Sequence, residues 1–165
     1  MVAKKPARKQ TLDKSMMYAI GLWVTGRMVA AVDGTVDGKE IAAHVEMLRA
    51  LTMNSKSALV RAAAGQITSD PMAVSKAYLD SKMNDAEFLK AIAKLLKRET
   101  VMDRNRYLSA IFMISGAVGQ ASGGGWLGGD ALSADEAKIA LAIHAVLSEM
   151  QDVDDLQTWI KRNGL

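Results

Sequence analysis

Three carboxylates and one imidazole lie close together near the start of the chain: Asp33, Asp37, Glu40 and His44. On a helix that opens at Asp37, positions 37, 40 and 44 follow an i, i+3, i+7 spacing and share one face, with Asp33 in the turn just before. Oxygen ligands of this kind suit Mg²⁺, Ca²⁺ or Mn²⁺, and recruiting the histidine shifts the preference toward Zn²⁺ or Ni²⁺. This is the set that would hold a divalent metal ion. The same residues also have a purely structural use. Asp37 followed by Glu40 at the third helical position is a capping box, in which each side chain accepts from the other residue's free backbone N–H. His44, between Ile41 and Val45, reads as a partly buried side chain.

Other candidate chemistries fare less well. The run Asp33, Thr35, Asp37, Gly38 imitates the start of a calcium loop, but its twelfth position falls on His44 where a bidentate Glu is required. The glycine-rich stretch around Trp126 lacks the Gly-Lys-Ser/Thr ending of a phosphate loop and follows no strand. Trp126 there is either an anchor for a partner or a plug for the core. Neither His44 nor His144 has a serine and a carboxylate at a spacing that makes a nucleophile system. The chain contains no cysteine, which removes disulfides, thiolate nucleophiles and Cys-based zinc sites. No catalysis is expected.

The elements that must position these residues are helices. Half of the 165 residues are apolar, 24% are charged, aromatics are few, and there are only two prolines, Pro6 and Pro71. Met17, Ile20, Gly21, Val24, Met28 and Ala31 recur at helical spacing, and Leu22, Trp23 and Val29 widen that stripe until little of the helix stays polar. It should therefore sit centrally. A second helix opens at Asp37 with Ile41, His44, Val45 and Leu48 as its inward face. Further helices are predicted at about 55–66, 70–83 and 85–99, the last with Phe88, Ile92, Leu95 and Leu96 inward and Lys90, Lys94, Lys97 and Arg98 outward. A long helix over about 102–119 carries Leu108, Ile111, Phe112, Ser115 and Val118 on one side. Ser133 and Glu136 form a second capping box, leading into Ile139, Ile143, Val146 and Met150. A last helix over about 153–162 would pack through Leu156, Trp159 and Ile160.

The segments 15–32 and 107–129 approach the length of a membrane span, with Arg27 the one charge in the first and none in the second. The second is broken by Gln120, Ser122 and its glycines, so both read as buried core helices. The net charge of +3 comes from the first 14 residues, where Lys4, Lys5, Arg8, Lys9 and Lys14 face Asp13 alone. Residues 1–13 read as a basic disordered tail, with Lys4, Lys5, Arg8 and Lys9 available to nucleic acid or anionic lipid, and 14–165 as one helical domain. Nothing in the sequence argues for export, and the cytoplasm is the expected compartment.

The two capping boxes fall in register when the first unit is laid over the second: Val36 meets Leu132, Asp37 meets Ser133 and Glu40 meets Glu136. Each unit is an apolar helix, a polar turn and a capped helix, and neither could bury its face alone. The expected fold is all-α, a compact bundle of seven to eight helices with this internal pseudo-repeat. The stretch 28–41, running from a hydrophobic helix through Asp33 and Gly34 to the capped helix, resembles the signature of TerB-like, tellurite-resistance-associated domains. The stretch from Leu132 through Glu136 to Ile143 resembles its second occurrence, except that Gly129 and Asp130 stand where the family pattern has Asp-Gly. The resemblance implies a non-catalytic binding or scaffolding module in stress response or defence, with a protein partner or a divalent metal ion as ligand, and no small-molecule substrate is expected. The second turn, with Trp126, Asp130, Asp135 and Glu136, is the expected place of a partner contact.

Overall fold

The computed structural model describes residues 12–32, 34–122 and 133–148. Among these residues every regular element is a helix: α1 (Lys14–Ala30), α2 (Gly38–Asn54), α3 (Ala58–Ser69), α4 (Pro71–Ser81), α5 (Asp85–Leu96), α6 (Val101–Ser122) and α7 (Ala134–Leu147). They pack into one helical bundle, as the sequence predicts. Residues 1–11 of the basic tail and the 153–162 segment lie outside the described residues, while Leu12 packs against the core and Asp13 belongs to the start of α1. No helix of the described residues is long and apolar enough to cross a membrane.

The starts are set by side chains that satisfy orphan backbone N–H groups. Asp13 caps α1, Ser57 caps α3, and Asp70 caps α4 just ahead of Pro71 at the first helical position. Asn84 caps α5 in a box with Glu87. The two boxes of the pseudo-repeat form with matching geometry. Asp37 N–H donates to Glu40 at 2.8 Å and Ser133 N–H to Glu136 at 2.7 Å, while Glu40 and Glu136 donate their own N–H to Asp37 and Ser133.

α1 is the hub: it touches α3, α4, α5, α6 and α7, and buries Tyr18, Ile20, Leu22, Val24 and Val29 almost completely. Each such side chain removed from water contributes roughly 1.5–3 kcal/mol before entropy is counted. Of its two buried hydroxyl side chains, Thr25 donates back to the Gly21 carbonyl at 2.9 Å and Tyr18 donates to Glu99 at 2.9 Å. The repeat units cross over, α2 lying against α6 and α7 against α1. Gly21 is where α1, α5 and α6 come closest. A Cβ there would lie 2.3 Å from the Tyr107 hydroxyl and 2.5 Å from Ile92 Cδ1.

Two helices are turned relative to the sequence reading. On α6 the buried positions are Tyr107, Ala110, Ile111, Ile114, Ser115 and Val118, which leaves Phe112 on the outside against the ring of His144 at 4.7 Å. On α2 the buried side chains are Glu40, Leu48 and Leu51, while Ile41 and Val45 are 55% and 38% exposed. The stripe runs 40, 44, 48, 51 rather than through 41 and 45. Its rotation follows from the capping glutamate and from His44, which enters a gap that only a glycine on α1 leaves open.

Candidate functional site

That gap is at Gly26. A Cβ at this position would fall 2.3 Å from Cε1 of His44 and 2.4 Å from both ring nitrogens, so the imidazole fills the space a side chain would need. His44 Nε2 lies 3.3 Å from the carbonyl of Leu22. A carbonyl only accepts, so Nε2 carries the proton and Nδ1 is left with its lone pair. Burial pushes the pKa of His44 down to about 4, with the bond to Leu22 acting in the opposite sense. The ring is neutral at physiological pH.

Because α2 meets α1 through His44, its outer row stands away from the rest of the bundle. Ile41, Val45 and Arg49, one turn apart, form one wall of a hollow of about 490 Å³. Trp23, Arg27 and Ala30 of α1 form the wall opposite, with Gly26 and His44 between them. Val36 of the α1–α2 turn and Ile67, Thr68 and Pro71 at the α3–α4 corner complete the lining of this half-open cup. Its volume lies within the range of small-ligand sites, and its lining is mostly apolar, as such sites are.

The charged residues of the cup differ in what they already hold. Arg27 lies over the rings of Trp23 and Tyr78, at 5.4 and 5.2 Å from their centroids, and pairs with Asp85 at 2.6 Å. The Tyr78 hydroxyl also donates to Asp85, and burial together with that carboxylate raises its pKa to about 12. Arg27 is thus fixed and neutralised, which makes this wall rigid. Glu40 is 2% exposed and accepts the Asp37 N–H. Arg49 is exposed and, among the described residues, has no ion pair or hydrogen bond.

The residues singled out in the sequence are spread over different tasks. Asp37 Oδ1 accepts from Lys39 N–H at 2.7 Å and Glu40 N–H at 2.9 Å, and Glu40 closes the box. His44 turns to Leu22. Among the described residues no group of three or more His, Asp or Glu side chains is placed to hold a metal ion. Asp33, the fourth member of the proposed ligand set, lies outside the described residues, as do Trp126, Asp130 and the tail residues Lys4, Lys5, Arg8 and Lys9. At the second turn Asp135 is exposed beside Lys138, at 3.4 Å. Glu136 is 3% exposed and its carboxylate accepts the Ser133 N–H, so it offers little surface to a partner.

The cup itself was hidden by the inward placement of Ile41 and Val45. The signal that reveals it is Gly26, one turn before the end of an otherwise bulky helix, opposite a histidine. Against known proteins, the chain matches no family model, no curated protein and no solved structure.

Proposed function

We propose that the chain is a non-catalytic, cytoplasmic binding module, and that the cup between α1, α2 and the α3–α4 corner is where it holds its ligand. The observation that carries this reading is the exposure of Val36, Ile41 and Val45, at 49%, 55% and 38%, around one hollow of ligand size. Apolar side chains gathered about a concavity are a recognition surface, whereas single ones scattered over a protein are ordinary. The histidine of the cup adds no catalytic machinery. Its proton is committed to a backbone carbonyl, and among the described residues no serine or carboxylate hydrogen-bonds to it. The TerB-like resemblance of 28–41 and 132–143 fits the same assignment and supplies its setting, stress resistance or defence.

The test is an amide-resolved titration of ¹⁵N-labelled protein with a set of small apolar compounds. Resonances of residues 23–30, 36–49 and 67–71 should move together, and Val45→Asp, at a half-exposed position, should abolish the response while leaving the fold intact. Responses centred elsewhere, on the Phe112 and Leu141 face for example, would sink the assignment. Chemical conversion of a bound compound would overturn the non-catalytic part.

A further inference from the structure

We infer that the ligand of this cup is a small amphiphilic carboxylate, an aliphatic or aryl acid, seated with its acid group on Arg49 and its apolar body along Ile41, Val45 and Val36. This rests on the cup being the binding site, and it names the chemistry that the cup selects. Of the two guanidinium groups lining it, Arg27 is already spent on Asp85 and on the Trp23 and Tyr78 rings, while Arg49 has no partner among the described residues. His44 is neutral with its proton donated to Leu22. The cup therefore presents one uncommitted positive charge, and a guanidinium selects a carboxylate through paired N–H donors.

The placement of the two acidic and basic ends sets the orientation. Arg49 and Glu40 are nine residues apart on α2, roughly 13 Å along the helix at 1.5 Å per residue. The buried Glu40 carboxylate at the far end disfavours an anion there, and it is already engaged with Asp37. The ligand's charge accordingly belongs at Arg49. Between the two charged residues α2 lines the cup with Ile41, His44, Val45 and Leu48, and the turn adds Val36. An apolar chain of about the same length, roughly 12 Å from position 41 to position 49, fills that stretch.

The experiment compares three probes with one tail and different heads, decanoate, decanol and decyltrimethylammonium, each kept below micelle formation, by calorimetry and by amide shifts on the full chain. Decanoate should bind in the cup, decanol about tenfold more weakly, and the cation weakest of all. Arg49→Gln removes an exposed, unpaired side chain, so its melting temperature should match wild type while decanoate affinity falls about tenfold and decanol affinity stays constant. If decanol binds as well as decanoate, or Arg49→Gln leaves decanoate unchanged, the carboxylate inference is overturned and the apolar cup survives. If none of the three probes moves the cup, the inference and the binding-site assignment fall together. If an amphipathic helical peptide binds there while decanoate does not, the occupant is a protein segment and the inference is wrong.

Discussion

His44 and Gly26 share one volume: the imidazole stands where a side chain at position 26 would begin, with three of its ring atoms within 2.3–2.4 Å of that point. The pairing does two things at once. It lets α2 reach α1 and donate to Leu22, and it commits the 40, 44, 48, 51 stripe to the core, so that Ile41, Val45 and Arg49 are left to form a wall. A cup exists here because α2, packed along α3 and α6, meets α1 chiefly through a flat ring instead of along a full apolar seam.

Gly26→Ala is therefore expected to destabilise the protein, although alanine is the better helix former. The propensity gain is about 1 kcal/mol at most. Against it stands displacement of the His44 ring and loss of its hydrogen bond, and overpacking of a tight site costs about 1–3 kcal/mol. Gly116 on α6 supplies the control, because a Cβ there meets nothing within 4 Å. Gly116→Ala should raise stability by about 0.5–1 kcal/mol. Urea denaturation of both variants checks the pair, and equal stabilisation of both would contradict the close approach at position 26.

The depressed pKa of His44 makes a pH prediction. Above about pH 6.5 the ring is neutral in the folded and unfolded chains alike and contributes nothing to the pH dependence. Between pH 6.5 and about 4 the unfolded chain takes up a proton that the folded one does not, so stability falls with falling pH. At 1.36 kcal/mol per unit the loss amounts to about 3 kcal/mol by the bottom of that window. Carboxylates add their own terms near its lower end. The measurement is therefore the difference between wild type and His44→Gln in chemical denaturation from pH 7 to 5: wild type should lose stability faster, and parallel curves would show a solvated ring.

How much of this could be read from the residues depended on the kind of signal. The caps at Asp37 and Ser133 are local chemistry, complete within four residues, and their positions were legible. So was the central place of α1, because a helix apolar on every side has nowhere else to go. The faces of α2 and α6 were not. Ile41 and Val45 are more hydrophobic than Glu40 and His44, and hydrophobicity alone turns them inward. What reversed the order is tertiary: His44 has a cavity waiting at Gly26, 18 residues earlier in the chain, and Glu40 turns inward on the same face. Phe112 was misplaced for a similar reason, since it finds its partner in His144 on the outside.

The capping boxes predict matched losses at the two ends of the pseudo-repeat. Asp37→Ala removes an acceptor from two backbone N–H groups, and Ser133→Ala removes one from Glu136 N–H. Each should cost about 1 kcal/mol. Glu40→Ala and Glu136→Ala take the acceptor from the N–H of an exposed capping residue, which water can still reach, and should cost about 1 kcal/mol, while Gln in place of either Glu restores an acceptor and recovers part of the loss. Thermal denaturation with and without added Mn²⁺ or Zn²⁺ decides whether the first turn has any further duty: a cap gives the same Asp37→Ala loss in both, and a metal ligand gives a larger loss when the ion is present.

The tyrosines provide a probe at the other end of α1. Tyr107 is fully buried, its hydroxyl donates to the Tyr18 carbonyl at 2.8 Å, and the two rings lie 5.1 Å apart. Tyr18 in turn donates to Glu99 at 2.9 Å. Burial raises the pKa of both, with Glu99 adding to the shift at Tyr18 and the Tyr18 hydroxyl adding to it at Tyr107, and burial likewise lifts Tyr78 to about 12. These are the only three tyrosines in the chain. The folded protein holds all three protons above pH 10, where an unfolded chain releases them, so stability is full below that pH and declines above it. Tyrosinate absorbance should consequently rise together with the loss of helical circular dichroism, not in a separate titration centred at pH 10. Tyr107→Phe should lower stability at neutral pH by about 1 kcal/mol through the lost hydrogen bond and leave the unpaired Tyr18 carbonyl to its helical partner alone. A normal tyrosine titration in a chain that keeps its helices would disprove the burial of this pair.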